Sequence, residues 1–107
     1  MIKATGIVRF YSRDISTAQN EIYLHDSNVK IEVISCSEPF IYQEKPCIEV
    51  KANFIILLER KPYCKSLEDY AGFVFPFMRS KLPVVLSTQT VDFEYVPEYR
   101  TLKRPSN

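Results

Sequence analysis

The sequence has 107 residues, with fourteen Lys and Arg against thirteen Asp and Glu, a net charge of +1. A chain of this length makes one domain and leaves no room for a second, and so even a charge balance excludes a general electrostatic grip on nucleic acid or an anionic membrane. Hydrophobic residues at 46% and charged residues at 25% are the composition of a chain that buries a core.

From Ile2 to Tyr11 the residues IKATGIVRFY are β-branched and aromatic and predict a first strand, with Gly6 at a bend or bulge. Ser12 to Asn20 is polar loop, and Glu21 to His25 reads as a short extended piece. After the turn residues Asp26, Ser27 and Asn28, the alternation of Val29, Ile31 and Val33 with Lys30 and Glu32 predicts a strand to about Cys36. The Pro39 to Pro46 connection reads as a loop carrying Phe40 and Tyr42. Ile48, Val50, Ala52, Phe54, Ile56 and Leu58 occupy every second position of the strand read as the last, as the core face of a pleat requires.

The period then changes. Leu67, Tyr70, Ala71, Val74, Met78, Leu82 and Val85 follow spacings of three and four, the stripe of an amphipathic helix. Ser66 with Asp69 is a capping-box start, and Glu68 and Asp69 suit the positive end of the helix dipole. Pro76 and Pro83 each delete an intrahelical hydrogen bond, so the helix is expected to kink or begin at Pro76. Beyond Val91 the sequence predicts a short extended segment and a loose end. The expected organisation is a single domain over 1–95 with a flexible tail over 96–107.

Chemistry is thinly supplied. His25 is the sole histidine and would have to serve nearly any nucleophilic arrangement with Cys36, Cys47 or Cys64. The cysteines are odd in number and lack paired CxxC spacing, so they are expected to be reduced thiols, neither disulfides nor zinc ligands. Two glycines in all leave no material for a phosphate-cradling loop. The expectation is a protein without enzymatic activity, metal or cofactor. Apolar runs such as Phe54 to Leu58 fall far short of the roughly 20 residues a bilayer needs, and the N-terminus has no signal-peptide core. The expected location is cytoplasmic.

What the sequence has in excess is apolar surface. In YAGFVFPFM, Tyr70 to Met78, Phe73 and Phe77 stand four apart while Tyr70, Val74 and Met78 already form the core stripe. Both helix faces are apolar, which points to an interaction surface, against the alternative of a helix wedged between the sheet and the tail of its own chain. Phe77, Met78 and Phe73 are the candidates for an oligomer interface. Phe40, Tyr42, Phe73 and Phe75 are the candidates for the lining of a client-binding surface, against the alternative that Phe40 and Tyr42 simply close one end of the sheet.

Three stretches, in order, resemble the SecB type of protein-export chaperone: IVRFYSRDIS (Ile7 to Ser16), CIEVKANFIILL (Cys47 to Leu58) and YAGFVFPFMR (Tyr70 to Arg79). The last is the most specific, through Phe75, Pro76, Phe77 and Arg79. The resemblance covers roughly the first 95 residues. It implies an α+β fold, a four-stranded antiparallel sheet followed by a kinked amphipathic helix, with homodimers or homotetramers as the assembly. It also implies ATP-independent holding of unfolded or precursor proteins in apolar grooves, and delivery to the motor SecA. Asp14 and Glu49 match acidic motor-docking positions of that family, whereas Ala18 stands where another acid is expected. SecB-like relatives dedicated to an antitoxin, or carried by mobile elements, make a dedicated partner-binding adaptor or inhibitor on the same fold, without general chaperone activity, the alternative reading.

Overall fold

The structure, a computed structural model, describes residues 1–13, 15, 28–82 and 84–96. In chain order the elements are β1 (Ile2–Ser12), β2 (Val29–Cys36), β3 (Phe40–Tyr42), β4 (Lys45–Leu58), a 3-10 turn (Leu67–Tyr70) running directly into helix α1 (Ala71–Lys81), and β5 (Val84–Tyr95). The five strands form one antiparallel sheet in the order β2-β4-β1-β5, with β3 paired to β4 beyond the end of β2. The fold is therefore α+β.

The alternation read from the sequence dictates the layering. Ile48, Val50, Ala52, Phe54, Ile56 and Leu58 of β4 lie beside Ile2, Ala4, Val8 and Phe10 of β1, all buried on one face of the sheet. Tyr70, Val74, Met78 and Leu82 pack down on that face and complete the core. The other face carries Lys3, Thr5, Arg9, Glu49, Lys51 and Asn53 in cross-strand rows, and Arg9 is ion-paired with Glu49 across it. Polar side chains can hold the middle of that face in water while the helix covers its reverse, and Cys47 and Leu57 toward its two ends are buried.

The helix differs from the sequence reading at its end. It stops at Lys81, and Leu82 is already extended, with φ −116° and ψ 154°. A residue before proline is pushed out of the α region by the proline ring, and residue 83 is proline. Val85, read as the last member of the helical stripe, instead lies in β5 opposite Phe10. The β4 strand is consequently followed by a fifth strand, which closes on the far side of β1 and puts β1 in the middle of the sheet. Pro76 lies inside α1, neither starting nor ending it. The Ser66–Asp69 capping box is formed, at the head of the 3-10 turn.

The connection read as a loop is a hairpin. Phe40, Ile41 and Tyr42 pair with Cys47, Pro46 and Lys45 through a two-residue turn, in which Gln43 and Glu44 take positive φ values of 50° and 66°. Two-residue hairpin turns with both central residues at positive φ match the twist of the flanking strands. The usual Asn-Gly signal is missing from the sequence. The expected extended piece from Glu21 to His25, and the tail beyond Val96, lie outside the described residues. Val96 itself is buried, and its N–H donates to the carbonyl of Met1 at 3.0 Å.

Candidate functional site

Helix α1 presents three rows of side chains. Val74 and Met78 point into the core, Gly72, Phe75 and Arg79 face away from it, and Phe73 and Phe77, one turn apart, lie half-buried at the boundary. On that boundary runs a cleft of about 400 Å³ between α1 and the C-terminal end of β4. Leu57, Tyr70, Phe73, Pro76 and Phe77 supply its apolar wall, and Asn28, Glu59 and Lys61 its polar groups.

The cleft is framed from both sides. The backbone N–H of Lys61 donates to the Tyr70 hydroxyl at 3.0 Å, which ties the segment after β4 to the base of the helix. The Lys61 ammonium lies 6.0 Å from the centre of the Phe73 ring, and the Lys81 ammonium 5.5 Å from that of Phe77. Tyr63, exposed, leans toward Phe73 with ring centres 6.2 Å apart. Cations over aromatic faces leave the rings open to apolar contact along their edges while placing positive charge at the rim. This arrangement can take an apolar side chain, and it favours one flanked by a carboxylate.

The four candidate lining residues do not share a groove. Phe40 and Tyr42 pack edge-on against Tyr11, with ring centres 5.0 Å and 4.8 Å away. Tyr11 pairs with Glu49 on the polar face of the sheet, so these three rings lie across the sheet from the helix. They close one end of that face, and the Tyr42 carbonyl further accepts a hydrogen bond from Arg13 at 3.2 Å. Phe73 and Phe75 stay on the helix side, Phe75 being 37% exposed beside a shallow depression it shares with Pro76, Arg79 and Ser80. Of the interface candidates, Phe73 and Phe77 reach the surface. Met78 does not: it is fully buried, because its place in the helical stripe points it into the core of its own chain.

Glu49 is ion-paired with Arg9 on the exposed face of the sheet. Asp14 lies outside the described residues, as does His25. The three cysteines are free thiols, with Cys47 buried and Cys36 and Cys64 half-buried, and burial pushes the Cys36 thiol up from its ordinary value. A raised thiol stays protonated at neutral pH and is a poor nucleophile. Among the described residues no three of His, Cys, Asp and Glu cluster as metal ligands, and no helix is long and apolar enough to cross a membrane.

Sequence reasoning missed Lys61 and Lys81 as parts of this site, whereas the apolar turn of the second face of β4 at Ile55 and Leu57 already marks its C-terminal end as covered, and Leu57 is buried there. The two lysines belong to no local pattern that would announce them. Only the fold brings the end of β4 against the helix. No family model matches the sequence, and no curated protein or solved structure matches it at a significant level.

Proposed function

We propose that this protein is an ATP-independent, SecB-like holdase of the cytoplasm that binds apolar side chains of unfolded or precursor polypeptides in the cleft beside α1. The observation that carries the reading is the cleft itself. It is open and walled by Leu57, Tyr70, Phe73, Pro76 and Phe77. Burial of one large apolar side chain from water is worth about 1.5–3 kcal/mol. At about 400 Å³ the cleft stands at the small end of ligand sites. It takes a side chain or two, so one subunit holds a client weakly and exchange is fast.

A second reading is favoured by the separation of the ring pairs. With Phe40 and Tyr42 across the sheet from Phe73 and Phe75, a continuous groove for long unfolded segments is absent among the described residues. A dedicated adaptor needs only one cleft and one cognate partner segment.

The test is suppression of aggregation of two unrelated unfolded proteins, without nucleotide, by the wild type and by Phe73→Ser. A holdase suppresses both, with negative heat capacity of binding and little salt dependence, and the variant loses most of the effect while keeping its circular dichroism. A wild type that leaves both proteins to aggregate overturns the holdase reading, and tight binding of a single cognate partner replaces it with the adaptor.

A further inference from the structure

Lys61 lies half-buried in the lining of the α1 cleft, and no carboxylate among the described residues pairs with its ammonium. Its neighbour is the Phe73 ring, with the centre 6.0 Å away. A cation partly withdrawn from water and set over an aromatic face keeps much of its field for a further partner. Lys81 repeats the arrangement over Phe77 at 5.5 Å, one turn or about 6 Å further along α1. The rings of the apolar wall are thus each topped by an ammonium. Glu59, the acid of the lining, is exposed, so water screens it more than it screens Lys61. Asp69 is turned to the backbone N–H groups of Lys65 and Ser66.

We infer that the cleft selects, among apolar segments of other polypeptides, those that carry a carboxylate one or two residues from the apolar side chain. The inference rests on the reading of the cleft as a binding site for apolar side chains, and adds to it the chemistry of the preferred segment. Two residues of an extended segment span about 7 Å, comparable with the 6.0 Å between the Phe73 ring and the Lys61 ammonium. An aspartate or glutamate two places from a side chain seated on that ring therefore meets the charge. Apolar burial supplies the affinity common to every segment, and the cations rank the segments, since charge complementarity gives specificity more than affinity. Two ammoniums on successive turns suit a polypeptide with more than one acid better than a small molecule with a single carboxylate. Residues 97–107 of this chain, with Arg100, Lys103 and Arg104 against Glu98, have the wrong sign to fill the cleft.

Fluorescence anisotropy with short labelled peptides tests it, using a Leu-Phe pair flanked on both sides by glutamate, by glutamine or by lysine. The glutamate peptide should bind about fivefold tighter than the glutamine peptide and the lysine peptide more weakly than either, with the ranking lost at high salt. Lys61→Glu should invert the order of the glutamate and lysine peptides, whereas Phe73→Ser should weaken all three alike. If Lys61→Glu misfolds, Lys61→Gln decides by losing the glutamate preference. Equal affinity for the three peptides, or an order that the Lys61 variants leave untouched, overturns the inference and leaves the cleft reading in place. Failure of all three to bind, or binding indifferent to Phe73→Ser, overturns both. Binding that appears only in a Glu21→Lys/Asp26→Lys variant would assign the cleft to this chain's own acidic and apolar stretch, and tighter binding of decanoate than of any peptide would assign it to a free carboxylate; either overturns the inference.

Discussion

Gly6 of β1 and Gln89 of β5 approach so closely that a Cβ on Gly6 would come within 2.1 Å of the Gln89 carbonyl oxygen, and within 2.8 Å of the Thr90 Cα. Both atoms are backbone and cannot rotate away. The contact falls beside the bulge at Val91, where the register of β5 against β1 shifts between Thr5 and Gly6. Glycine is needed here for close approach of two strands, its φ being ordinary.

Gly6→Ala should therefore cost about 3 kcal/mol or more, above the usual range for overpacking because the backbone itself has to move. Urea denaturation gives the loss, and hydrogen exchange should locate it, with protection falling first in β5. A variant within about 0.5 kcal/mol of the wild type would mean that β5 is not seated as described.

Tyr70→Phe removes the hydroxyl that accepts from the Lys61 N–H while keeping the buried ring. The N–H is partly buried, so the expected destabilisation is about 1 kcal/mol. Client binding in the cleft should weaken with it, since the segment carrying Lys61 is no longer tied to the helix. Chemical denaturation and a binding titration check the two effects separately.

The turn of the β3–β4 hairpin holds Gln43 and Glu44 in left-handed conformations that cost a side-chain-bearing residue about 1–2 kcal/mol each. Gln43→Asn/Glu44→Gly should stabilise the protein by about 1 kcal/mol and raise Tm by about 4–8 °C. Calorimetry reads this directly, and an unchanged or lower Tm would contradict the turn geometry.

Asp69 accepts hydrogen bonds from the backbone N–H groups of Ser66 and Lys65, which hold its carboxyl below the usual carboxylate range. A carboxyl depressed in the folded state adds stability above its unfolded pKa and loses it as pH falls through the folded one. Asp69→Asn should lower Tm at neutral pH, and the two Tm curves should converge as the solution is acidified below the ordinary carboxylate range. Parallel curves down to strong acid would remove Asp69 as the cause.

The strands β2 and β4 were legible because their apolar residues alternate, and β1 because its residues are β-branched and aromatic. The β5 strand was not, and its bulges are the reason. Its core-side residues Val85, Thr88, Thr90 and Phe93, opposite Phe10, Val8, Gly6 and Ala4, are spaced three, two and three apart. That spacing breaks the period of two, and its first member extends the helical stripe instead. Phe73 and Phe77 were legible as surplus apolar surface from their separation of four. Leu57 was legible as part of a covered end of β4 from the apolar turn of its second face, Lys61 joins through tertiary contact that no local pattern encodes, and the turn at Gln43 and Glu44 lacks the residues that announce such turns.

Of the five strands, β1 is made before the others and waits longest. Ile2 is flanked by Leu58 on one side and Tyr95 on the other, so β1 cannot fill both of its ladders until residue 95 has left the exit tunnel. Until then its second row of amides faces water. A nascent chain stalled before β5 should be sensitive to protease throughout, and one released beyond it should acquire resistance in a single step, slowly for its size because nearly every ladder bond to β1 closes a long loop.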